Sequence, residues 1–277
     1  RKRDLAWKSI ETNEVGLDEF MKWADAAEVA PIYAVNLGTK GIEEALAVLE
    51  YCNMETGTYY SDLRAANGHE KPYGIRTWCL GNEMDGDWQI GHKTAEEYGR
   101  IAYETGKAMK ILDPSIELVA CGSSMSTNST FGDWEQTVLE HCYPCLDYIS
   151  LHQYYGGQEK GTAEFLAQSL DMERYIETVL NICDYVRVKK KMSHKINICF
   201  DEWGVWSMSD VQVQKSVEDA PWQTAPAISE QIYTMEDALL FASMLMNFIK
   251  RADRVKIACQ SLLTNISSCI MLSLIHI

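Results

Sequence analysis

Short apolar runs alternate with amphipathic segments along most of the chain. Runs that are apolar almost throughout are typical of strands in a parallel sheet with both faces covered. Between them, apolar residues recur every three or four positions, a period that indicates helices. The predicted strands cover residues 30–38, 75–83, 116–124, 146–155, 196–206 and 254–263. The predicted helices cover residues 16–27, 41–52, 94–112, 132–141, 162–190 and 229–250.

A single domain accounts for this alternation. No stretch rich in Gly, Pro or Ser divides the chain, and no internal repeat is visible. At 277 residues the chain is long enough for one domain of barrel size. One helix has an explicit start, because Thr94 and Glu97 have the spacing of a capping box, and Asp113-Pro114 ends it.

Polar side chains gather where the predicted strands end. In a (β/α)₈ barrel these carboxyl ends, with the loops after them, build the active site. A doubly wound sheet uses them only near its topological switch point, so five polar ends among six strands favour the barrel. Because six strands are fewer than eight, we expect an α/β fold of the TIM-barrel type that lacks about its first β-α-β segment. The polar ends carry Asn36, Asn82-Glu83, Ser123-Ser124, His152-Gln153-Tyr154-Tyr155 and Asp201-Glu202-Trp203.

Two glutamates, Glu83 and Glu202, each end an apolar strand. A charge there is costly unless a site uses it, and opposed strands of a barrel could bring the two carboxylates together. Such a pair performs glycoside hydrolysis: one group protonates the leaving oxygen, and the other attacks the sugar or activates water. A separation of about 5–5.5 Å gives retention of configuration, and about 6.5–9.5 Å gives inversion. The alternative for either glutamate is a helix cap or a surface salt bridge.

Aromatic residues lie close to both glutamates in the sequence. Trp88 and Trp206 are candidates for binding a sugar ring, and Tyr154 could donate a hydrogen bond that keeps a carboxylate ionised. Trp78 and Trp203 are equally well explained by packing in the core.

Four stretches closely resemble the α-L-arabinofuranosidases of glycoside hydrolase family 51. They are GIRTWCLGNEMDGDWQIGHKTAEEYG from residue 74, ISLHQYYG from residue 149, FDEWGVW from residue 200 and AVNLGT from residue 34. The resemblance covers about residues 5–260. It implies a retaining (β/α)₈ glycosidase without cofactor or metal, whose substrate is an arabinose-containing oligo- or polysaccharide.

The resemblance also implies roles for single residues. Glu83 resembles the general acid/base and Glu202 the nucleophile, while Asn82 is similar to the residue that binds the sugar 2-hydroxyl. The remaining substrate-binding candidates are His152, Tyr154, Trp206, Trp88 and, from its strand end, Asn36.

The chain departs from the family in several places. Where the family has an A-Q-L-V-N run on its eighth strand, this chain has Ser261-Leu262-Leu263-Thr264-Asn265. The first two strands of the family, a sugar-binding Glu near its N-terminus and its C-terminal β-sandwich are expected to be absent. Residues 272–277 read LSLIHI, which the end of a transposase sequencing adapter encodes. We therefore expect residues 1–271 to be a partial barrel and residues 272–277 to be adapter read-through.

Composition and charge limit the kinds of partner that the protein is expected to bind. A net charge of −15 argues against nucleic acid, and no apolar run is long enough to cross a membrane. The sequence has no G-x-G-x-x-G or G-K-[ST] motif, so nucleotide chemistry has no support. Nine scattered cysteines favour a reducing, cytoplasmic setting, with secretion left open, and the longer parent is a candidate homo-oligomer.

The function that these observations favour is removal of terminal α-L-arabinofuranosyl residues from arabinan, arabinoxylan or their oligosaccharides. One alternative is another enzyme of the same clan, such as an endo-β-1,4-glucanase or a xylan-active hydrolase. The other is a catalytically inactive sugar-binding fragment, although binding alone needs neither a proton donor nor a nucleophile.

Overall fold

A curled, six-stranded parallel sheet organises the chain. The computed structural model describes residues 1–207, 215, 217–226, 231–262, 264 and 270. A short antiparallel hairpin of β1 (Lys2–Asp4) and β2 (Ser9–Glu11) precedes the sheet. The sheet contains β3 (Ile32–Val35), β4 (Thr77–Leu80), β5 (Glu117–Cys121), β6 (Tyr148–Tyr155), β7 (Asn197–Val205) and β8 (Val255–Gln260).

The strands lie in the sheet in their chain order, and every neighbouring pair is parallel. Parallel neighbours need a crossover connection, and helices supply it here. The helices are α1 (Leu17–Ala26), α2 (Ile42–Asn53), α3 (Tyr59–Ala66), α4 (Ala95–Leu112), α5 (Asp133–Cys142), α6 (Thr162–Ala167), α7 (Ser169–Lys189) and α8 (Met235–Lys250). The predicted α/β class and the six predicted strands are confirmed.

The start of α4 follows from its sequence. The Glu97 backbone N–H donates to Thr94 Oγ1 at 3.3 Å, and the Thr94 N–H donates to Glu97 Oε2 at 3.0 Å. The predicted capping box is therefore present, and it orients the helix that follows the loop after β4.

Three local predictions were wrong or incomplete. The hairpin β1–β2 and the helix α3 were not predicted, although Thr58 and Ser61 form a capping box that opens α3. The single helix predicted over residues 162–190 is two helices that meet at Gln168. The Gln168 side chain donates to the carbonyl oxygens of Gly156 and Phe165, so it occupies acceptors at the break.

The core lies between the sheet and its helices. Tyr98 of α4 stacks on Trp134 of α5, with ring centroids 5.4 Å apart, and both are fully buried. A smaller apolar cluster on the opposite face of the sheet contains Cys79, Val119 and Cys199. All eight cysteines in the described part of the chain are free thiols. No helix among the described residues is long and apolar enough to cross a membrane.

Candidate active site

The carboxyl ends of β4, β6 and β7 bring the site together. β6 pairs with β7 so that His152 lies opposite Glu202. A register shift between Ser150 and His152 interrupts the regular pairing just before this point, and such irregularities re-aim side chains near active sites. β4 ends at Leu80, and Glu83 follows it in the next loop. Two glutamates from distant parts of the sequence therefore meet at one edge of the sheet.

Glu83 is held from both of its oxygens. Its Oε1 lies 3.1 Å from Nδ1 of His152. Its Oε2 accepts hydrogen bonds from Trp88 Nε1 at 2.6 Å and from Gln89 Nε2 at 2.9 Å. Glu83 also has a φ of 45°, in the left-handed region that residues with a Cβ rarely adopt. Such strain persists only where surrounding contacts determine the conformation, and it is concentrated at functional sites.

Glu202 faces the same space from β7. Its Oε2 accepts a hydrogen bond from the Tyr154 hydroxyl at 3.0 Å and lies 3.7 Å from Nδ1 of His152. One carboxylate oxygen of Glu83, one of Glu202 and one ring nitrogen of His152 all lie within 4.8 Å of one another. This close approach favours the spacing of a retaining pair over the wider spacing that admits a water molecule between the carboxyl groups.

His152 lies at the centre of the cluster. Its side chain is only 4% exposed, and its second nitrogen, Nε2, lies 3.2 Å from Oδ1 of Asp201. Within the described ranges, His152 is the only basic side chain that forms an ion pair with Glu83, Asp201 or Glu202. Asp201 was not among the predicted site residues, although it directly precedes Glu202 in the sequence.

The pKa directions of Glu83 and Glu202 differ from those expected for an acid and a nucleophile. Burial raises the pKa of Glu83, but the hydrogen bond and charge of His152, with the donors Trp88 and Gln89, outweigh burial and hold that pKa below its ordinary value. Burial raises the pKa of Glu202 above its ordinary value, against the opposing effect of the His152 charge. Burial next to a second carboxylate would by itself raise the pKa of Glu83, but the imidazole reverses this direction, and the sequence does not reveal how close the imidazole lies.

His152 has the opposite balance. Burial lowers the pKa of its imidazole, but the charge of Asp201 and the contact with Glu83 outweigh burial and raise this pKa well above its ordinary value. The imidazole thus lies among three carboxylates, which favour its protonated form.

The aromatic candidates divide into two groups. Trp88 is half exposed beside Glu83, and the Trp206 ring packs against the Tyr154 ring at 5.7 Å between centroids. Trp88 thus lies beside Glu83, and Trp206 lies beside the tyrosine that contacts Glu202. Trp78 and Trp203 are buried in the main core, so the packing explanation is the correct one for these two.

The two asparagine candidates are both exposed, but their surroundings differ. Asn82 directly precedes Glu83 at the tip of the β4 loop. The side chain of Asn36 folds back on its own loop, where Oδ1 accepts from the backbone N–H groups of Gly38 and Thr39. The structure therefore gives Asn36 a local role in shaping the turn after β3.

Close backbone contacts fix the loop that carries Trp88. A Cβ on Gly91, which has a φ of 85°, would overlap the backbone of Gly38 in the neighbouring loop. A Cβ on Gly86 would overlap the Trp88 ring. Glycine at these positions lets the loop approach the β3 turn and lets the indole lie over the loop toward Glu83.

The carboxylate of Asp85 holds the same loop to the segment that follows β5. Oδ2 of Asp85 accepts from the Ser124 backbone N–H at 3.0 Å, and Ser124 Oγ and Asn128 Nδ2 also donate to this carboxylate. Asp85, like Gln89, was outside the predicted site. The sequence shows that Asp85 follows Glu83 by two positions. The groups that donate to its carboxylate lie about forty residues further along the chain, so the sequence does not reveal these contacts.

The three facing groups of Glu83, His152 and Glu202 are also of the types that bind metal ions. Each already uses the facing atom in a hydrogen bond or ion pair with another member of the set or with Tyr154. We therefore assign the cluster to proton chemistry.

The stretch that differs from the eighth strand of the family, Ser261 to Asn265, lies where the continuously described part of the chain ends. Ser261 lies directly after β8, and its backbone N–H donates to the carbonyl oxygen of Trp203. Leu263 and Asn265 lie outside the described residues, as do residues 272–277, for which adapter read-through was expected.

Comparison with known proteins agrees with the geometry. The family model of the α-L-arabinofuranosidase 1 domain matches residues 1–165, and that of the α-L-arabinofuranosidase C-terminal domain matches residues 201–275. An intracellular exo-α-(1→5)-L-arabinofuranosidase of Halalkalibacterium halodurans is 54% identical and covers 98% of this chain and 54% of its own length. An intracellular exo-α-(1→5)-L-arabinofuranosidase 1 of Bacillus subtilis is 55% identical, with the same coverage of both chains.

A solved structure shares both the fold and the sequence. The family 51 α-L-arabinofuranosidase of Bifidobacterium longum superposes with a TM-score of 0.94 at 41% identity, covering 98% of this chain and 55% of that one. This chain thus spans about half the length of the relatives that it matches. With more than half of its residues matched by the first family model, the chain belongs to the α-L-arabinofuranosidases of glycoside hydrolase family 51.

Proposed function

We propose that this chain carries the catalytic residues of a retaining, exo-acting α-L-arabinofuranosidase. The observation that carries the proposal is the approach of the Glu83 and Glu202 carboxylates to within 4.8 Å, on strand ends of a parallel sheet. The substrate class is an oligosaccharide or polysaccharide with terminal α-L-arabinofuranosyl groups. The names of the relatives further favour α-(1→5)-linked arabinan oligosaccharides.

In the first half of the reaction, Glu202 attacks the anomeric carbon while Glu83 protonates the departing oxygen. The Tyr154 hydroxyl donates to the attacking carboxylate and favours its ionised form. Asn82 binds the sugar 2-hydroxyl in this proposal, while Trp88 and Trp206 contact the ring.

In the second half, Glu83 acts as a base and removes a proton from water, which attacks the glycosyl-enzyme at the anomeric carbon. The bond to Glu202 breaks, arabinose leaves with its original configuration, and Glu83 regains its proton. Each carboxylate thus returns to its starting state after one turnover.

We also propose that the sheet is part of a (β/α)₈ barrel in the whole protein. β3 and β8 each have one sheet neighbour among the described strands, and two further strands between them would close the barrel. The intracellular names of the relatives and the free thiols of the described chain favour a cytoplasmic setting.

The test is hydrolysis of para-nitrophenyl α-L-arabinofuranoside by the protein, with carboxymethylcellulose as the alternative substrate. Glu202→Ala should abolish turnover, and azide should restore cleavage of the activated arabinoside with inversion of configuration in the product azide. Wild-type turnover by Glu202→Ala, or preferential cleavage of carboxymethylcellulose, would overturn the proposal.

A further inference from the structure

We propose that the catalytic proton is shared between Oε1 of Glu83 and Nδ1 of His152, and that Asp201 is the positioning residue that makes Nδ1 the titrating nitrogen. This inference rests on the proposed function. It adds His152 to the two carboxylates as a group that holds the catalytic proton, and it assigns a role to Asp201.

The two oxygens of Glu83 cannot exchange roles. Oε2 accepts from an indole N–H and from an amide N–H₂, the groups of Trp88 and Gln89. Both groups are donors only, so a proton on Oε2 would face two other hydrogens. The acidic proton of Glu83 therefore belongs on Oε1, the oxygen that faces His152 at 3.1 Å.

The two ring nitrogens of His152 are also distinct. Nε2 lies 3.2 Å from Oδ1 of Asp201 in the geometry of an ion pair, and Oδ1 is buried with no hydrogen-bond partner in the described part of the chain. A proton on Nε2 is stabilised by that negative charge. An unprotonated Nε2 would instead place its lone pair against a carboxylate, which is repulsive. Nε2 is therefore the nitrogen that stays protonated, and Nδ1 is free to gain or lose its proton.

One proton fits between Nδ1 and Oε1. In one arrangement the imidazolium donates to an ionised Glu83; in the other, a neutral imidazole accepts from the carboxylic acid. To pass between them, the Nδ1–H bond breaks as the Oε1–H bond forms, and the pair keeps its net charge. The first arrangement is the resting state of the pair, and the second is the one that can protonate a leaving group.

The other ionisable groups around His152 do not supply an alternative partner. Glu202 lies 3.7 Å from Nδ1, further than Glu83, and already accepts from the Tyr154 hydroxyl. On the far side, the thiol of Cys79 on β4 contacts Oδ2 of Asp201 at 3.7 Å. Burial, together with the nearby Asp201 charge, raises the pKa of this thiol well above its ordinary value, so it remains a neutral neighbour.

Groups on β5 and β8 are similarly neutral. Burial raises the pKa of Cys121 to about 12, and burial with the Asp201 charge raises the pKa of Cys259. The Asp85 carboxylate lies in the loop after β4, and its oxygens accept hydrogen bonds from Ser124 and Asn128 rather than from His152. It therefore offers a matched control for the loss of one negative charge.

The experiment compares Asp201→Asn with Asp85→Asn in the pH dependence of kcat/KM. Removing the Asp201 charge makes proton binding by the His152–Glu83 pair less favourable, so the alkaline limb should move to lower pH by about 1–3 units. Asp85→Asn should leave that limb in place, even if it lowers stability. An unmoved alkaline limb in a folded, active Asp201→Asn variant would overturn the proposal, as would an equal shift in Asp85→Asn.

A second measurement reads the protonation state of His152 directly and needs no substrate. In the ¹⁵N spectrum of the wild-type protein at neutral pH, His152 should show two protonated ring nitrogens, with the signal identified by its loss in His152→Gln. A neutral imidazole in an active enzyme would overturn the shared proton and leave the proposed function standing. An imidazolium in a protein that leaves arabinofuranosides intact would overturn the proposed function and not the position of the proton.

Discussion

At the scale of single residues, the hydrogen bond from Tyr154 to Glu202 affects the protonation state of the proposed nucleophile. The tyrosine hydroxyl favours the ionised carboxylate, whereas burial raises the pKa of Glu202. In Tyr154→Phe this pKa should rise further, so Glu202 becomes protonated at higher pH and the acidic limb of kcat/KM moves upward. A hydrogen bond to a charged group contributes about 1.5–3 kcal/mol, so kcat should fall about 10- to 100-fold.

The control is Tyr148→Phe, which makes the same change at the other end of β6. The Tyr148 hydroxyl donates to Glu117, away from the carboxylate pair. The pH profile of kcat/KM of Tyr148→Phe should therefore match that of the wild type. If the acidic limb of Tyr154→Phe also coincided with that of the wild type, the proposed link between the tyrosine and the nucleophile would be wrong.

The residues that the sequence predicted share one property: each carries its own chemical signal. Two glutamates at the ends of apolar strands indicate a carboxyl pair from the sequence alone. Asp201 gave no separate signal, because its importance depends on the 3.2 Å approach of His152 from another strand. The pKa of Glu83 could not be predicted for the same reason, since it depends on the imidazole of His152, which tertiary structure brings beside it from another strand.

At the scale of elements, the loop after β4 holds the indole of Trp88 against Glu83. In Gly86→Ala the added methyl group must displace the Trp88 ring, and the hydrogen bond from Nε1 to Oε2 should be lost. We expect kcat/KM to fall at least tenfold, from the loss of about 1.5–3 kcal/mol, with little loss of thermal stability.

The matched substitution is Gly41→Ala, where the new methyl group meets open space before α2. Activity assays and thermal melts of the two variants separate a local effect from a general effect of replacing glycine. Equal kcat/KM values in Gly86→Ala and Gly41→Ala would show that the position of Trp88 does not matter to the reaction.

Element types were predictable where the apolar period was strong, as in β4, β6 and α4. The break at Gln168 was not, because both flanking segments continue the same helical period and the break depends on the carbonyl of Gly156. The hairpin β1–β2 was missed because its strands contain only three residues each. It also forms hydrogen bonds with the loop near Trp222, and a local sequence pattern does not reveal such distant contacts.

At the scale of the whole molecule, one face of the described chain is unusually apolar. Leu239, Leu245, Met246 and Ile249 of α8 are all exposed, and β8 has a single sheet neighbour among the described strands. Exposed apolar patches and open strand edges promote association. The isolated 277-residue chain should therefore self-associate as its concentration rises.

Sedimentation velocity over a concentration series measures this association. Met246→Lys combined with Ile249→Lys should weaken it, whereas Val188→Lys, at an exposed residue of α7, should not. A chain that stays monomeric at every concentration would show that the α8 face is not an association surface.

Formation of a covalent arabinosyl-enzyme is the central claim, and mass spectrometry of trapped protein tests it most directly. Glu83→Ala removes the base that assists hydrolysis of this intermediate, while a dinitrophenyl arabinofuranoside needs no acid to leave. After rapid quenching, the peptide that contains Glu202 should carry one arabinosyl group. Turnover with no label on that peptide, or with the label on another residue, would contradict the account.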